Sequence, residues 1–425
     1  MVYRATLLWY YMQLEQLFAE ALAIKAPWKI ESLSFDSVNK KLDIKVDFER
    51  GASFEYEDPE TKEVKLYKAY DKIEKTWRHL NFFEHECYIH AKVPRIKPTN
   101  GGIKMIFPPW SGVVYGFTLL FEALILQMCI NMPIHNVGKI LRVTDDRLWN
   151  LLDCYVKKIM YQADYRGVKA VGVDETSIKK GHNYISLFVD LEAKKTIFIT
   201  EGKDHSTVTR FVKNLEEAGG KACNIKDVSC DMSPAFIKGV REELPEAEIT
   251  FDKFHVLKTI NEAVDKVRKE EAKDNPILKG TRYCFIKNER NLSANQQVKL
   301  SDLSKLNLKS IRALHIRENF QEIYKAETQE EFETYLKKWY FWATHSKIKP
   351  MIAAAKTIKN HWDGILRWKE SQINNGILEG LNSIIQAAKR KARGYKFEHF
   401  KVIAYLLTGK LNFSVINECL PTRFP

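Results

Sequence analysis

Residues 170–190 read AVGVDETSIKKGHNYISLFVD and residues 225–231 read IKDVSCD; the way these two stretches pair decides the fold. Ala170 to Val173, Tyr184 to Val189 and Thr196 to Thr200 are runs of β-favouring residues joined by polar turns, one carrying Lys179, Lys180 and Gly181. They predict a three-stranded antiparallel meander. A helix follows with Ser206 as its N-cap, Val208, Phe211, Val212 and Leu215 on one face, and Gly219 and Gly220 at its end. Ile225 to Cys230 makes a fourth strand. Ser233 and Pro234 open a second helix with Phe236, Ile237, Val240 and Leu244 inward, and Ile249 to Phe251 makes a fifth strand. The order βββαβαβ is complete by Asp252, and in it the first and fourth strands can lie side by side. The fold class is mixed α/β.

Working outward, residues 1–110 read as a small α+β domain. It has a helix over Leu7 to Leu22, strands at Ile30 to Phe35 and Leu42 to Phe48, and then a polar loop rich in Glu, Lys and Tyr. His85, Cys87 and His90 fall close together, but their spacing fits no common zinc pattern and suits side chains alternating about a strand. Residues 111–165 predict a helix-turn-helix. Leu119, Leu120, Ala123, Leu124, Leu126 and Met128 mark a buried helix, and short helices follow at Val137 to Leu141 and Asp145 to Ile159. A DNA-reading unit of this kind would expose Arg142, Arg147, Trp149 or Asn150; plain packing of three helices is the competing reading.

Residues 166–268 hold the α/β core, and 269–370 read as an all-helical insertion. There Thr328 and Glu331 form a capping-box pair, Lys309 to Tyr324 has a helical period, and Trp339, Trp342, Trp362 and Trp368 are expected in its core. Residues 371–425 begin with the helix Ile377 to Lys391, apolar through Ile377, Leu381, Ile384, Ile385 and Ala388. Its other face carries Glu379, Asn382, Gln386 and Arg390.

Length and charge narrow the function classes. At 425 residues, 45% of them hydrophobic, the chain exceeds what one core usually organises. Its 67 Lys and Arg against 54 Asp and Glu give a formal charge of +13, which favours a polyanion such as nucleic acid over an uncharged partner. The longest apolar stretch, Gly116 to Met132, is interrupted by Glu122 and Gln127, and no leader pattern opens the chain; no membrane role and a cytoplasmic, nucleoid-associated location are expected. Seven cysteines without a CxxC pair read as reduced thiols.

The acids carry the chemistry. Asp174 is read at the end of the first strand and Asp231 at the end of the fourth, so two carboxylates would sit together. Such a pair repels unless one is protonated or a cation lies between them, which points to a hard divalent metal. Glu379, on the polar face of the last helix, can complete the site. Each acid alone suits a turn or a helix cap, and Glu175, Asp190, Glu201 and Asp252 compete for the role. Three carboxylates holding two Mg²⁺ ions about 3.5–4 Å apart, with Mn²⁺ as substitute, would activate water or a 3′-hydroxyl for in-line attack on a phosphodiester. Lys389, Arg390, Lys391, Arg393, Lys396 and Lys401 then form a basic run with Tyr395 and Phe397 interleaved. It is suited to phosphate contacts, a solvated face being the alternative.

The strings GVDETSIKKGHNYISLFVDL, CDMSPAFIKGV, ITFDKFHVLKTINEAVD and LEGLNSIIQAAKRKARGY resemble those of the ISL-three family of bacterial insertion-sequence transposases. The likeness extends to KTWRHLNFFEHECYIHAKVPRIK and GFTLLFEAL. It implies a ribonuclease-H-like catalytic domain and a DDE transposase acting on double-stranded DNA, both transposon-end inverted repeats and target, as a homodimer. The implied triad is Asp174, Asp231 and Glu379, which would also hold the metal, with Asp252 and His255 of DKFH as supporting residues. One departure stands out: where relatives carry two Cys-x-x-Cys pairs of a zinc ribbon, this chain reads FEYEDPE and IKPTNGG, so no zinc is expected. A transposase-derived DNA-binding protein that no longer cleaves, and a nuclease that cuts without joining, are the alternatives.

Overall fold

The computed structural model describes residues 14–99, 101–114, 116–179, 183–371, 376–391 and 395–411. These fall into two compact units, one formed by the described residues up to Met160 together with Leu411, the other by those from Tyr161 to Lys410.

The first unit opens with helix α1 over 14–21 and strands β1 (Trp28–Asp36) and β2 (Lys41–Phe48). Strands β3 (Ser53–Glu57) and β4 (Val64–Lys68) then form a separate hairpin. The stretch read as a polar loop is therefore a strand pair. Lys and Glu on its outer face hide the alternation, while Phe54 is buried against Trp28 and Phe48. Its turn is set by Asp58, which accepts from the backbone N–H groups of Glu60 and Thr61. Strands β5 (Asp71–Phe82), β6 (His85–Ile96) and β7 (Lys104–Met105) complete the main sheet, ordered β1-β2-β6-β5 with β7 on β6. Along β6 Cys87 is buried, whereas His90 is bound to Asp43 and Thr76, so these residues share no ligand set.

Three helices follow: α2 (Leu119–Asn131), α3 (Ile134–Leu141) and α4 (Asp145–Tyr161). Thr118 caps α2, accepting from Phe121 N–H, and its hydroxyl also meets the buried ring of His79. Glu122, fully buried in α2, accepts from Val113 N–H, Val114 N–H and the Tyr155 hydroxyl, tying the preceding loop to α4. Leu120 and Leu124 face outward, against expectation, because Phe121 and Ile125 occupy the inward positions.

In the second unit β8 (Ala170–Lys179), β9 (Asn183–Asp190) and β10 (Lys195–Glu201) form the antiparallel meander. The turn at Lys180 and Gly181 lies outside the described residues. Then come α5 (Ser206–Glu217), β11 (Asp227–Cys230), α6 (Pro234–Glu243), β12 (Glu248–Phe251) and α7 (Lys253–Glu271). The sheet order is β10-β9-β8-β11-β12, with β11 parallel to both of its neighbours. Two cap assignments change. His205, not Ser206, is the N-cap of α5, and it is Asp204 that accepts from Ser206 N–H. Ser233 holds the N-cap position of α6 without a side-chain bond.

Helices α8 (Arg282–Ile286), α9 (Ala294–Ser304), α10 (Lys309–Ile323), α11 (Gln329–His345), α12 (Lys349–Asn360) and α13 (Trp362–Ser371) extend from α7. Trp339, Phe320, Phe332 and Met351 fill their core, but Trp342 is 42% exposed. Only half of the expected capping box forms. Thr328 accepts from Glu331 N–H, while the Glu331 carboxylate turns to Glu327 N–H. The chain then returns to the sheet through α14 (Gly376–Lys391) and α15 (Phe397–Thr408). The basic run concealed α15, whose Phe400, Val402, Ile403 and Leu406 are buried and whose Tyr405 hydroxyl accepts from Ile199 N–H in β10. Among the described residues no helix is long and apolar enough to cross a membrane. Cys87, Cys129, Cys230 and Cys284 are buried free thiols, Cys154 is half-buried and Cys223 is exposed; Cys419 lies outside the described residues.

Helix α14 reaches β8 because Gly172 has no side chain. A Cβ there would stand 2.7 Å from Leu378 Cδ2, and Leu378 packs into a small core with Val189 and Leu191. Leu378 and Ile385 are the buried residues of α14, whereas Ile384, expected inside, is exposed. Gly172→Ala should therefore displace α14 and destabilise the second unit by about 1–3 kcal/mol. Urea unfolding measures this, and an unchanged midpoint would contradict the packing.

Candidate active site

Pairing between strands sets the acids side by side. Val228 lies opposite Val171 and Ser229 opposite Gly172, so two residues further on Asp231 comes level with Asp174. On the other flank Cys230 lies opposite Phe251, so Asp231 comes level with Asp252. Asp174 is not at a strand end, as the sequence suggested. β8 continues to Lys179 in its hairpin with β9, and it is the partner β11 that stops at Cys230.

Each acid has a local anchor. Asp231 Oδ1 accepts from Ser233 N–H at 3.0 Å as α6 begins. Asp252 caps α7, accepting from Phe254 N–H at 2.8 Å with one oxygen and meeting His255 Nδ1 at 3.0 Å with the other. Asp174 starts no helix; its Oδ1 accepts from Glu175 N–H at 2.8 Å and its Oδ2 from Asn382 Nδ2 at 2.9 Å. That last bond brings in α14, whose Gln386 bonds Thr176 and whose Lys389 ammonium donates to Ser177 O. The polar face that carries Glu379 thus lies along β8.

These groups share one field. Burial pushes the Asp174 carboxyl up to about 6, against the opposing pull of His255, Glu175 N–H and Asn382, and Asp252 adds to the rise. The Glu379 carboxyl is raised by burial and then by Asp252 and Asp174. Glu175 is raised by burial, with Lys203 opposing and Asp231 adding. The bond to Asp252 leads the upward shift of His255, which Asp231 and Asp174 reinforce. His255 therefore faces an excess of carboxylates, which favours its protonated form.

Among the described residues no three carboxylate, imidazole or thiol groups stand in metal-holding geometry. The donor chemistry nonetheless fits a hard cation. It consists of oxygen ligands held against their own repulsion, and the buried Asn382 Oδ1, beside Asp174, has no hydrogen-bond donor. Asp174, Asp231 and Glu379 are the residues suited to hold it, with Asp252 and Glu175 adjacent.

The expected DNA contacts divide. Arg142 sits in the left-handed turn between α3 and α4 and its exposed side chain bonds Glu86 at 3.2 Å. Arg147 folds its guanidinium over the Phe117 ring at 4.0 Å. Trp149 is only 9% exposed and belongs to the core of its unit, while Asn150 is exposed. Lys389 is engaged with β8 and Arg390 is exposed; the Lys391 side chain and Arg393 lie outside the described residues. Lys258 was missed. It lies one turn beyond His255 and helps to hold the Glu175 carboxyl down, and its i, i+3 spacing from His255 is the signal that could have found it.

Because the Asp174 carboxyl is raised in the fold, its contribution to stability is full below the unfolded value of 3.8 and is lost as pH rises through about 6. The loss is on the order of 2–3 kcal/mol by neutral pH. In EDTA, Asp174→Asn should match the parent in thermal midpoint near about pH 4 and exceed it near about pH 8. Midpoints that fall together across that range would contradict the burial of an unpaired charge.

Residues 171–404, more than half of the chain, match the model of a transposase family, and residues 116–156 match the helix-turn-helix domain of transposase family ISL3. The transposase for insertion sequence element IS1001 of Bordetella parapertussis is 26% identical over 332 residues, covering 76% of this chain and 81% of that protein. The transposase for insertion sequence element IS1557 of Mycobacterium tuberculosis is 24% identical over 365 residues, covering 78% of this chain and 81% of that protein. With its helix-turn-helix and its transposase domain both matched in order, the chain belongs to the ISL3 family of transposases.

Proposed function

We propose that the protein binds the terminal inverted repeats of an insertion sequence and carries out DNA cleavage and strand transfer as a DDE transposase, with Asp174, Asp231 and Glu379 as the triad. The observation that supports this most is the register that levels Asp231 with Asp174, together with the Asn382 bond that draws the Glu379 helix onto the same strand. A meander followed by two parallel strands and a returning helix supports a ribonuclease-H-like core over 166–268 and 371–425. In this reading it is interrupted by the helical insertion 269–370 and preceded by an N-terminal domain, 1–110, and the helix-turn-helix region, 111–165.

Two Mg²⁺ ions, or Mn²⁺ in their place, would polarise the scissile phosphate and lower the pKa of the attacking water or 3′-hydroxyl. The chain's own groups prepare that site. Asn382 fixes the direction of the Asp174 carboxylate. Asp252 engages His255 Nδ1, so Nε2 is the ring nitrogen left to exchange a proton with an attacking or leaving oxygen. With no covalent enzyme intermediate required, one site can hydrolyse a phosphodiester and then direct the freed 3′-OH at a second DNA. Two ends must be processed together, and a homodimer with two-fold symmetry meets that need.

An assay of cleavage and joining on DNA bearing the flanking inverted repeats, with Mg²⁺ or Mn²⁺, tests the proposal. Asp174→Ala, Asp231→Ala and Glu379→Ala should each reduce both products by at least about a thousandfold while leaving binding to the repeats intact. Undiminished nicking in all three variants would overturn the triad. Tight binding by the parent protein without any cleavage would leave only a DNA-binding role.

A further inference from the structure

Helix α7 carries a feature that catalysis by the triad does not use. Phe254 stands in its first turn, between Asp252 and His255, yet its side chain is 58% exposed. The opposite face of the same helix buries Val256, Ile260, Val264 and Val267, so Phe254 lies outside that core. Leaving most of such a side chain in water forgoes stabilisation that burial would supply.

Phe254 is also where two cavities meet. One, of about 1120 Å³, lies between α7, α10 and α13, and its wall includes Lys253, Tyr324 and Trp368. The other, of about 830 Å³, follows α7 toward α8 past Lys258, Lys266 and Lys287. Phe254, Leu257 and Asn288 line both, so the two run into each other along one flank of the helix. Small-molecule sites span roughly 300–1,000 Å³, and two joined cavities of this size make a track suited to a polymer. In the second cavity the cations outnumber the anions. Glu262 and Asp265 are its acids, and Asp265 is already neutralised by Arg268 and Lys269. The track begins at the acid cluster, since Asp252 lines the first cavity and His255 the second.

We propose that this groove receives an unpaired DNA strand at the end being processed, with Phe254 stacking on a base and Lys258 and Lys266 contacting phosphates. The proposal rests on the reading that the acid cluster acts on DNA. An exposed ring flanked by cations suits single-stranded nucleic acid because an unpaired base offers a free π-face, which a base inside a duplex does not. The location fixes which part of the substrate is bound: the nucleotides adjoining the scissile phosphate.

The test uses the full-length protein in EDTA, so that no cleavage occurs. The probes are a blunt inverted-repeat duplex and the same duplex with a short single-stranded tail containing 2-aminopurine. The parent should bind the tailed duplex more tightly and quench the 2-aminopurine. Phe254→Ala should weaken tailed binding about tenfold and abolish quenching, leave blunt binding unchanged, and be rescued by Phe254→Trp. Lys258→Ala with Lys266→Ala should lower the salt dependence of tailed binding. Equal affinity of the parent for both probes, quenching that survives Phe254→Ala, or a loss confined to blunt binding would each overturn the proposal. Failure of the catalytic reading shows differently, as tail binding and quenching by a protein that never cleaves when Mg²⁺ is supplied.

Discussion

The parallel pairing of β11 with both β8 and β12 is the constraint on which the second unit depends. Three neighbouring parallel strands present their acids on one side of the sheet, and the apolar residues that bury those strands, Val171, Val228 and Phe251 among them, prevent any slip of register. The arrangement concentrates negative charge where solvent is scarce. Two of the acids are relieved by the backbone, since Asp231 receives the N–H of Ser233 at the start of α6 and Asp252 caps α7. Helix starts are favourable places for a carboxylate. Asp174 has no helix of its own and relies on Glu175 N–H and Asn382, which do not offset the burial that raises its carboxyl.

The same dependence explains the long detour through the helical insertion. α14 needs a small residue on β8 to pack over and polar partners to bond, and Gly172, Asp174, Thr176 and Ser177 along β8 provide them. The insertion is itself fastened to the far edge of the sheet. Arg367 in α13 bonds Asp227 at 2.7 Å and pairs with Glu248, so the first residues of β11 and β12 share one guanidinium. Helix α13 fixes β11 and β12, and α14 then packs on β8.

What the sequence disclosed follows from these physical roles. The strands of the second unit's sheet were legible because strands buried on both faces read as apolar runs, and α5 and α6 because their inward residues keep a helical period. Other features were hidden for equally physical reasons. The position of Asp174 within β8 was misjudged because the polar residues after it are strand residues of a hairpin that outruns its parallel neighbour. The hairpin at 53–68 was missed because its outer face is charged, and α15 because its basic N-terminal flank dominated the reading. Adjacency of Asp252 to Asp231 was not predicted, for it depends on which strand lies beyond β11, and that order is a tertiary property.

Positive charge is the least transferable of the sequence signals. Arg142 is paired with Glu86, Arg147 covers Phe117 and Lys389 holds β8, so three of the cations that a basic composition would assign to phosphate already serve the fold. The acids behave in the opposite way, since burial first, and neighbouring carboxylates second, raise the Asp174 and Glu379 carboxyls and so weaken the fold once they ionise. A cation held among these carboxylates would bind the folded state alone, because the acids are scattered in the unfolded chain, and its binding free energy would add to stability by mass action. Part of its affinity would come from relieving the repulsion already present, which would favour a compact divalent ion over a monovalent one.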